Sequence, residues 1–298
     1  MRPPGRVPAA QAGFALPAVL AILIVVAGAA AITAERLRTR AGHAGNQARS
    51  LRLQGLADGV ARLVANAIVM ERLRGLPGLG LASNGTAVAC QLPRGRRVTL
   101  TVQDHAGLID LNTSPRPLLE AAFRASGIGD ATALTLAAEV VDYRDPDEMP
   151  EPNGGAETPQ YRSRGLSYGP RDGPFTSVDE IERLPSMTPE IAARLRPVLT
   201  VYNPSRGVDP GLVPVPALMQ SVTGDALAAY AIRSLGQFFE IRVGAMEDGA
   251  RRARSTTLSV GGTGAGTRIL SWQPQAPDMP TGAAHPFCRQ LVAVLAGS

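Results

Sequence analysis

Twenty-one consecutive residues, Gly13 to Thr33 (GFALPAVLAILIVVAGAAAIT), carry no charge, and a short arginine-bearing stretch stands before them. An α-helix rises about 1.5 Å per residue, so roughly 20 apolar residues cross the roughly 30 Å hydrocarbon core of a bilayer. This segment has that length, and it separates a helix-anchored chain from a freely soluble one. Two ways of processing it remain open. An ordinary secretory signal has an apolar region of about 7 to 15 residues and then a small-residue cleavage site, which Ala29-Ala30-Ala31 could supply. Cleavage before the apolar segment, after Gly13, would instead leave Phe14 as the new N-terminus with the whole helix retained.

The second arrangement resembles the class III signal of type IV pilins and type II secretion pseudopilins, in which a short basic leader ends in Gly and Phe or Met follows. The resemblance implies that a prepilin peptidase cuts between Gly13 and Phe14 and that Phe14 is then N-methylated. One position departs from the pattern. Most such subunits carry Glu five residues into the mature chain, where this sequence has Ala18. A carboxylate inside a membrane is costly without a partner, and in these assemblies it is read as pairing with the neighbouring subunit's new N-terminal amine. A subunit lacking it suits a terminal place in the filament. Arg2 and Arg6 before the span and Arg36, Arg38 and Arg40 after it favour, by charge alone, the opposite orientation. The resemblance, and not the charge count, places a single-pass anchor in the inner membrane with the C-terminal bulk in the periplasm.

At 298 residues there is room for one large or two ordinary domains beyond the anchor. The net charge of +5 permits an acidic partner, but all thirty basic residues are arginine, which reflects genomic composition better than a binding surface. Cys90 and Cys288 are the only cysteines; they suit one disulfide in an oxidising compartment or two buried thiols.

From Ala34 to about Leu76 apolar residues recur near helical spacing, so the anchor continues as one long helix until Gly75, Pro77, Gly78 and Gly80 end it. Arg97 to Gln103 alternates as a strand, Asp104 to Gly107 makes a turn, and Leu108 to Leu111 resumes, which predicts a hairpin. Helices and loops follow to about Tyr202. From Gln237 three alternating segments (FFEIRVGAM, RRARSTTLSV, RILSW) read as antiparallel strands, with Glu247-Asp248-Gly249 as a turn. Strands, then a helical block, then strands again imply a domain inserted in a sheet. Ala217–Gly224 and Asp225–Leu235 read as two short helices, and Phe287–Leu295 as a last apolar stretch.

Four ordered fragments carry a more specific resemblance: Ile109-Asp110-Leu111-Asn112-Thr113-Ser114, the run from Val140 to Tyr161, the run from Phe175 to Tyr202, and Arg268 to Trp272. With the Gly13-Phe14 leader they resemble the minor pseudopilin K of type II secretion, over most of the chain. The fold implied is α+β: a transmembrane helix continuing into a pilin-like long helix packed on an antiparallel sheet, with an inserted all-helical domain like SAM and helix-hairpin-helix units. The expected divisions are leader 1–13, membrane helix 14–34, pilin-like helix and first strands 35–111, inserted helical domain 112–203, linker, short helices and remaining strands 204–273, and tail 274–298. The function implied is to cap the tip of the periplasmic pseudopilus and help start its assembly. The partners implied are minor pseudopilins of the I and J types, the major pseudopilin and the prepilin peptidase.

Within that order, Asn112-Thr113-Ser114 before Pro115 reads as a helix cap, and Thr188-Pro189-Glu190 as another helix start. Between Glu139 and Glu157 lie seven carboxylates against one arginine, in a loop broken by Pro146, Pro150, Pro152, Gly154 and Gly155. Ca²⁺ accepts six to eight oxygens in flexible geometry, which such a loop can supply. The spacing is not that of an EF-hand, so a solvated acidic loop stands equally on chemistry alone. The resemblance raises calcium, with Asp142, Asp145, Asp147 and Glu157 as candidate ligands.

A rival reading comes from two helical pairs, Leu118–Val141 around Gly127-Ile128-Gly129 and Val178–Leu199 around Leu184 to Thr188. They resemble helix-hairpin-helix units, such as a membrane-anchored competence DNA receptor carries. Ser186-Met187 stands where close phosphate approach wants glycine, and no aromatic and arginine interleaving marks a nucleic-acid groove. No enzyme motif accompanies His43, His105 or His285. His105 reads as a turn residue and Trp272 as core.

Overall fold

The structure is a computed structural model that describes residues 15–224, 227–261, 266–275 and 280–296. The expected cut between Gly13 and Phe14 lies outside these. The chain divides into two compact units, residues 1–52 and residues 53–298. In the first, the long helix α1 (Ala15–Arg74) begins, and its stretch Val19–Arg36 has mean hydropathy 2.0 with none of it buried. That is the surface of a helix suited to lipid.

In the second unit α1 changes character. Leu53, Ala57, Val60, Ala61 and Val64 repeat at helical spacing and are buried, so this part of α1 is a core helix. It lies on an antiparallel sheet of five strands: β1 (Val88–Gln91) and β2 (Arg97–Asp104), then, after the insertion, β5 (Phe238–Glu247), β6 (Ala250–Ser259) and β7 (Arg268–Gln275). Their order across the sheet is β1-β2-β5-β6-β7. Alternation sends Val98, Leu100 and Val102, with Phe239, Ile241 and Val243, to the α1 face. Asp248 and Gly249, with φ of 46° and 79°, close β5 onto β6 in the two-residue turn that matches strand twist. The C-terminal helix α7 (Phe287–Ala296) adds Phe287 and Leu291 to the same core. A disulfide between Cys90 and Cys288 ties it to β1.

Between β2 and β5 the chain builds a second core. It leaves after Asp104 through β3 (Ile109–Asp110), α2 (Arg116–Ala125), α3 (Asp130–Arg144), α4 (Thr158–Ser163), a 3-10 turn at Val178–Arg183, α5 (Pro189–Leu195), β4 (Leu199–Thr200) and α6 (Pro216–Thr223). It rejoins beside its point of departure, since Asp104 pairs with Phe239. An insertion in a sheet is therefore what the strand order records.

Several expectations need correction. The hairpin partner of β2 is β1; Leu108–Leu111 contributes β3, which runs parallel to β4 and roots the insertion. A lone alternating strand does not name its partner. The insertion is also larger than 112–203, because Val208, Val213, Leu218 and Val222 bury in the helical core. Of the helix expected at Asp225–Leu235, the described residues form only a 3-10 turn at Ala228–Tyr230. Asn112, Thr113 and Ser114 do not cap α2, whose N-cap is Pro115 with no side-chain bond. Asn112 instead clasps Phe175, donating from Nδ2 to its carbonyl at 3.0 Å and accepting its amide at 2.7 Å, while Thr113 donates to the carbonyls of Asn203 and Ser205. Buried Asp110 accepts amides from Asn112, Thr113 and Asn203, so the Asp-Leu-Asn-Thr run is a knot that joins the two strands of the insertion's stem. Thr188 does cap α5, through the Ile191 amide. His105 lies in a turn as expected, but buried, with Nδ1 2.7 Å from Thr200 Oγ1. Trp272 is half-buried on β7, with the guanidinium carbons of Arg62 and Arg254 each 5.3 Å from its ring centroid.

Candidate metal centre

The acidic residues from Glu139 onward separate into three tasks. Glu139 faces inward from α3 and is fully buried; it accepts from the Ser186 amide and hydroxyl at 3.1 and 2.7 Å and pairs with Arg164 at 2.9 Å. Burial raises its affinity for a proton, and these donors oppose that rise. Asp142, one turn on, takes the Glu151 amide on both carboxylate oxygens, at 3.0 and 3.2 Å, and so folds the loop back on the helix. Arg116 of α2 closes the fold, bonding Glu151 at 2.7 Å and the Pro152 carbonyl at 2.7 Å. Gly155 sits where a Cβ would fall 2.4 Å from Asp142 Oδ2 and from the Glu151 amide, so no side chain fits. Gly154 has φ of 112°, a conformation L-residues avoid.

The third task belongs to Asp145, Asp147 and Glu157. Asp145 ends α3 in extended conformation, as the residue before Pro146 must. Glu157 stands at the head of α4, with its amide donating to Gln160 Oε1 at 3.0 Å. One carboxylate oxygen from each of these three lies within 4.8 Å of the others. Asp145 Oδ1 and Glu157 Oε1 are buried and have no hydrogen-bond partner. Burial first, then the charges of Asp142, Asp145, Asp172 and Asp147, pushes Glu157 up to about 7. Burial and then Asp147 and Glu151 raise Asp145 as well. Asp142 rises to about 6, mainly through burial, against its amide donors.

Buried oxygens without donors, held against one another's charge, fit a cation. Ligands about 2.4 Å from a calcium ion stand up to about 4.8 Å apart, which is this spacing. Calcium's tolerance of irregular oxygen shells suits a loop better than the octahedron magnesium demands. Of the four residues expected as ligands, the structure converges Asp145, Asp147 and Glu157; Asp142 is beside them and occupied with Glu151. Asp172, in a turn with φ of 54°, belongs to the same field but was not expected. Its signal, Asp followed by Gly and Pro fifteen residues past Glu157, reads only as a turn.

The second helical hairpin is bonded to α3, through Ser186 to Glu139 and Glu180 to Tyr143. The Ser186 amide, which a phosphate would need, is already given to Glu139. Its first arm, moreover, is a 3-10 turn.

Residues 102–204 match the family model described as type II secretion system, protein K. No curated protein matches the chain. Among solved structures, the chain is similar to one in the crystal structure of the GspK-GspI-GspJ complex from the type 2 secretion system of enterotoxigenic Escherichia coli. Identity is 12%, the TM-score is 0.54, and the match covers 80% of this chain and 99% of that one. At that identity the likeness establishes the fold, a mixed α+β arrangement with the helical block set within the sheet.

Proposed function

We infer that this chain, whose residues 102–204 match the family model of type II secretion system protein K, serves as a minor pseudopilin that caps the tip of the pseudopilus and helps start its assembly. The observation that carries the reading is the inserted block. It is rooted at one end of the sheet, at Asp104 and Phe238, and fills that end with a second core. A subunit so built leaves little room for another to stack there. Ala18, in place of the usual acidic residue, supports the same terminal position.

The stretch Val19–Arg36 suits a single inner-membrane span with residues 53–298 in the periplasm, and processing at Gly13 and Phe14 by the prepilin peptidase follows from the reading. Its role is mechanical, with no reaction of its own. The E. coli protein's complex with GspI and GspJ supports minor pseudopilins of the I and J types as partners. The reading itself adds the major pseudopilin as a further partner. Calcium at Asp145, Asp147 and Glu157 would order the acidic loop between α3 and α4.

The competing reading, a membrane-anchored DNA receptor, is disfavoured by the Ser186 amide already bonded to Glu139. Both are tested by one preparation. Full-length protein in detergent should co-purify with the I- and J-type subunits and should not retard duplex DNA at about 0.15 M salt. Micromolar DNA binding that weakens steeply with salt, with no subunit complex, would overturn the pseudopilin reading, because counterion release gives phosphate contacts that slope.

A further inference from the structure

The sheet has two ends. The insertion occupies one, where Arg72 of α1 lies 5.5 Å from the Phe239 ring centroid. At the other, the β1–β2 connection and the β5–β6 turn meet: Arg97 pairs with Gln91 and Met246, and Met246 pairs with Arg251. This end carries Arg94, Arg96, Arg97, Arg251 and Arg252 against two carboxylates, Glu247 and Asp248. Arg97 and Arg251 stand in one cross-strand row, two strand spacings or about 10 Å apart. Arg94, Arg97 and Arg251 are exposed; Arg97 donates from Nε and Nη2 to the Gln91 side-chain oxygen at 2.9 and 3.2 Å, and Arg96 donates to the Pro93 carbonyl of its own loop. Among the described residues no salt bridge joins Arg94, Arg96, Arg97 or Arg251 to a carboxylate. Arg254, three residues past Arg251, is matched to Asp58 at 2.6 Å.

The two loops are held in place. Leu92 donates to the Arg96 carbonyl at 2.8 Å, β1 is tied by Cys90 to Cys288, and the β5–β6 turn is the tight two-residue form. Guanidinium forks on fixed turns match carboxylates in a bidentate way. We propose that this arginine-bearing end of the sheet docks an acidic surface of a neighbouring filament subunit. The proposal rests on the pseudopilin reading, and it names the face: the insertion fills the opposite end, so this end is the one left for neighbours. Exposed charges of this kind govern encounter rate and partner choice more than final affinity.

The test is the association rate of full-length protein in neutral detergent with its I- and J-type subunits, at about 50 and 500 mM salt. A variant with Arg94→Gln, Arg96→Gln, Arg97→Gln and Arg251→Gln should associate about tenfold more slowly or worse at low salt, with the gap closing at high salt. Arg162→Gln with Arg289→Gln, which removes the same kind of charge elsewhere, should associate like the parent. A fourfold variant that associates at the parent rate overturns the docking face and leaves the pseudopilin reading intact. A parent that forms no complex removes both. Selective retention on phosphatidylglycerol vesicles, lost in the variant while subunit association is unchanged, assigns the arginines to lipid headgroups and overturns the proposal.

Discussion

Chelator-treated protein should lose thermal stability as the pH rises from about 4.5 to about 7, and calcium should restore it. Glu157 has an ordinary value of 4.5 and is held at about 7 in the fold. Asp142 moves from 3.8 to about 6. A carboxyl raised by folding holds its proton more tightly in the native state than in the unfolded one. Its favourable contribution is therefore present at low pH and is lost as the pH climbs toward the folded value. Each tenfold gain in proton affinity on folding corresponds to about 1.4 kcal/mol, so the coupled carboxyls should cost the metal-free protein a few kcal/mol at about pH 7.5. A cation among Asp145, Asp147 and Glu157 replaces those protons. At a hundredfold excess over Kd it adds about 2.7 kcal/mol, or roughly 5 to 10 °C in a domain of this size. Asp145→Ala with Asp147→Ala should abolish the calcium shift. Glu157→Gln should weaken it and at the same time flatten the pH dependence of the metal-free protein. A melting temperature indifferent to calcium near neutral pH, in a sample shown free of metal, would mean that the loop is only solvated.

Removing the disulfide should be comparably severe. Cys90 and Cys288 are 198 residues apart, so the bond closes a loop around both cores. On the chain-entropy account a closure this long is worth about 5 kcal/mol. Without it, α7 is held by Phe287, Leu291 and the short backbone ladder in which the Ala89 amide reaches the Ala283 carbonyl at 2.9 Å. Cys90→Ser with Cys288→Ser should lower the melting temperature by about 10 °C, on the same size scaling. Limited proteolysis should then cut near residues 280–286 before anything else. An unchanged melting curve, or first cleavage inside the helical insertion, would show that packing alone retains the tail.

How much of this was legible depends on whether a signal is local. The apolar N-terminal helix, the buried positions Ala57, Val60 and Val64 of α1, the β5–β6 turn and the Thr188 cap each rest on residues a few positions apart, and all are where periodicity and capping chemistry place them; Leu51, at the same spacing, is exposed, and Leu53 is buried in its stead. The partner of β2 is a different matter. Leu108–Leu111 alternates as well as Val88–Gln91 does, and only the insertion's packing decides which one joins the sheet. The Asp110-Asn112-Thr113 knot shows the same limit. Those side chains have the chemistry of a cap, but their partners, Phe175, Asn203 and Ser205, are 63 to 93 residues away. At the acidic loop the sequence reveals that carboxylates are crowded. It does not reveal that Glu139 is matched by Arg164 and Asp142 by the Glu151 amide, which leaves one buried oxygen each of Asp145 and Glu157 without a donor, beside exposed Asp147. Arginine clustering was invisible for a related reason: in a chain with no lysine, Arg94 to Arg97 and Arg251 to Arg252 look like background until strand pairing brings them to one end.

The central claim, that this is a pseudopilin retained whole on its membrane helix, meets its most direct test at the N-terminus of the mature protein. Mass spectrometry of the chain purified from membranes of cells with an active prepilin peptidase should find it beginning at Phe14, with a methyl group on that nitrogen. A mature chain that begins near Ala31, or one that still begins at Met1, would contradict the account.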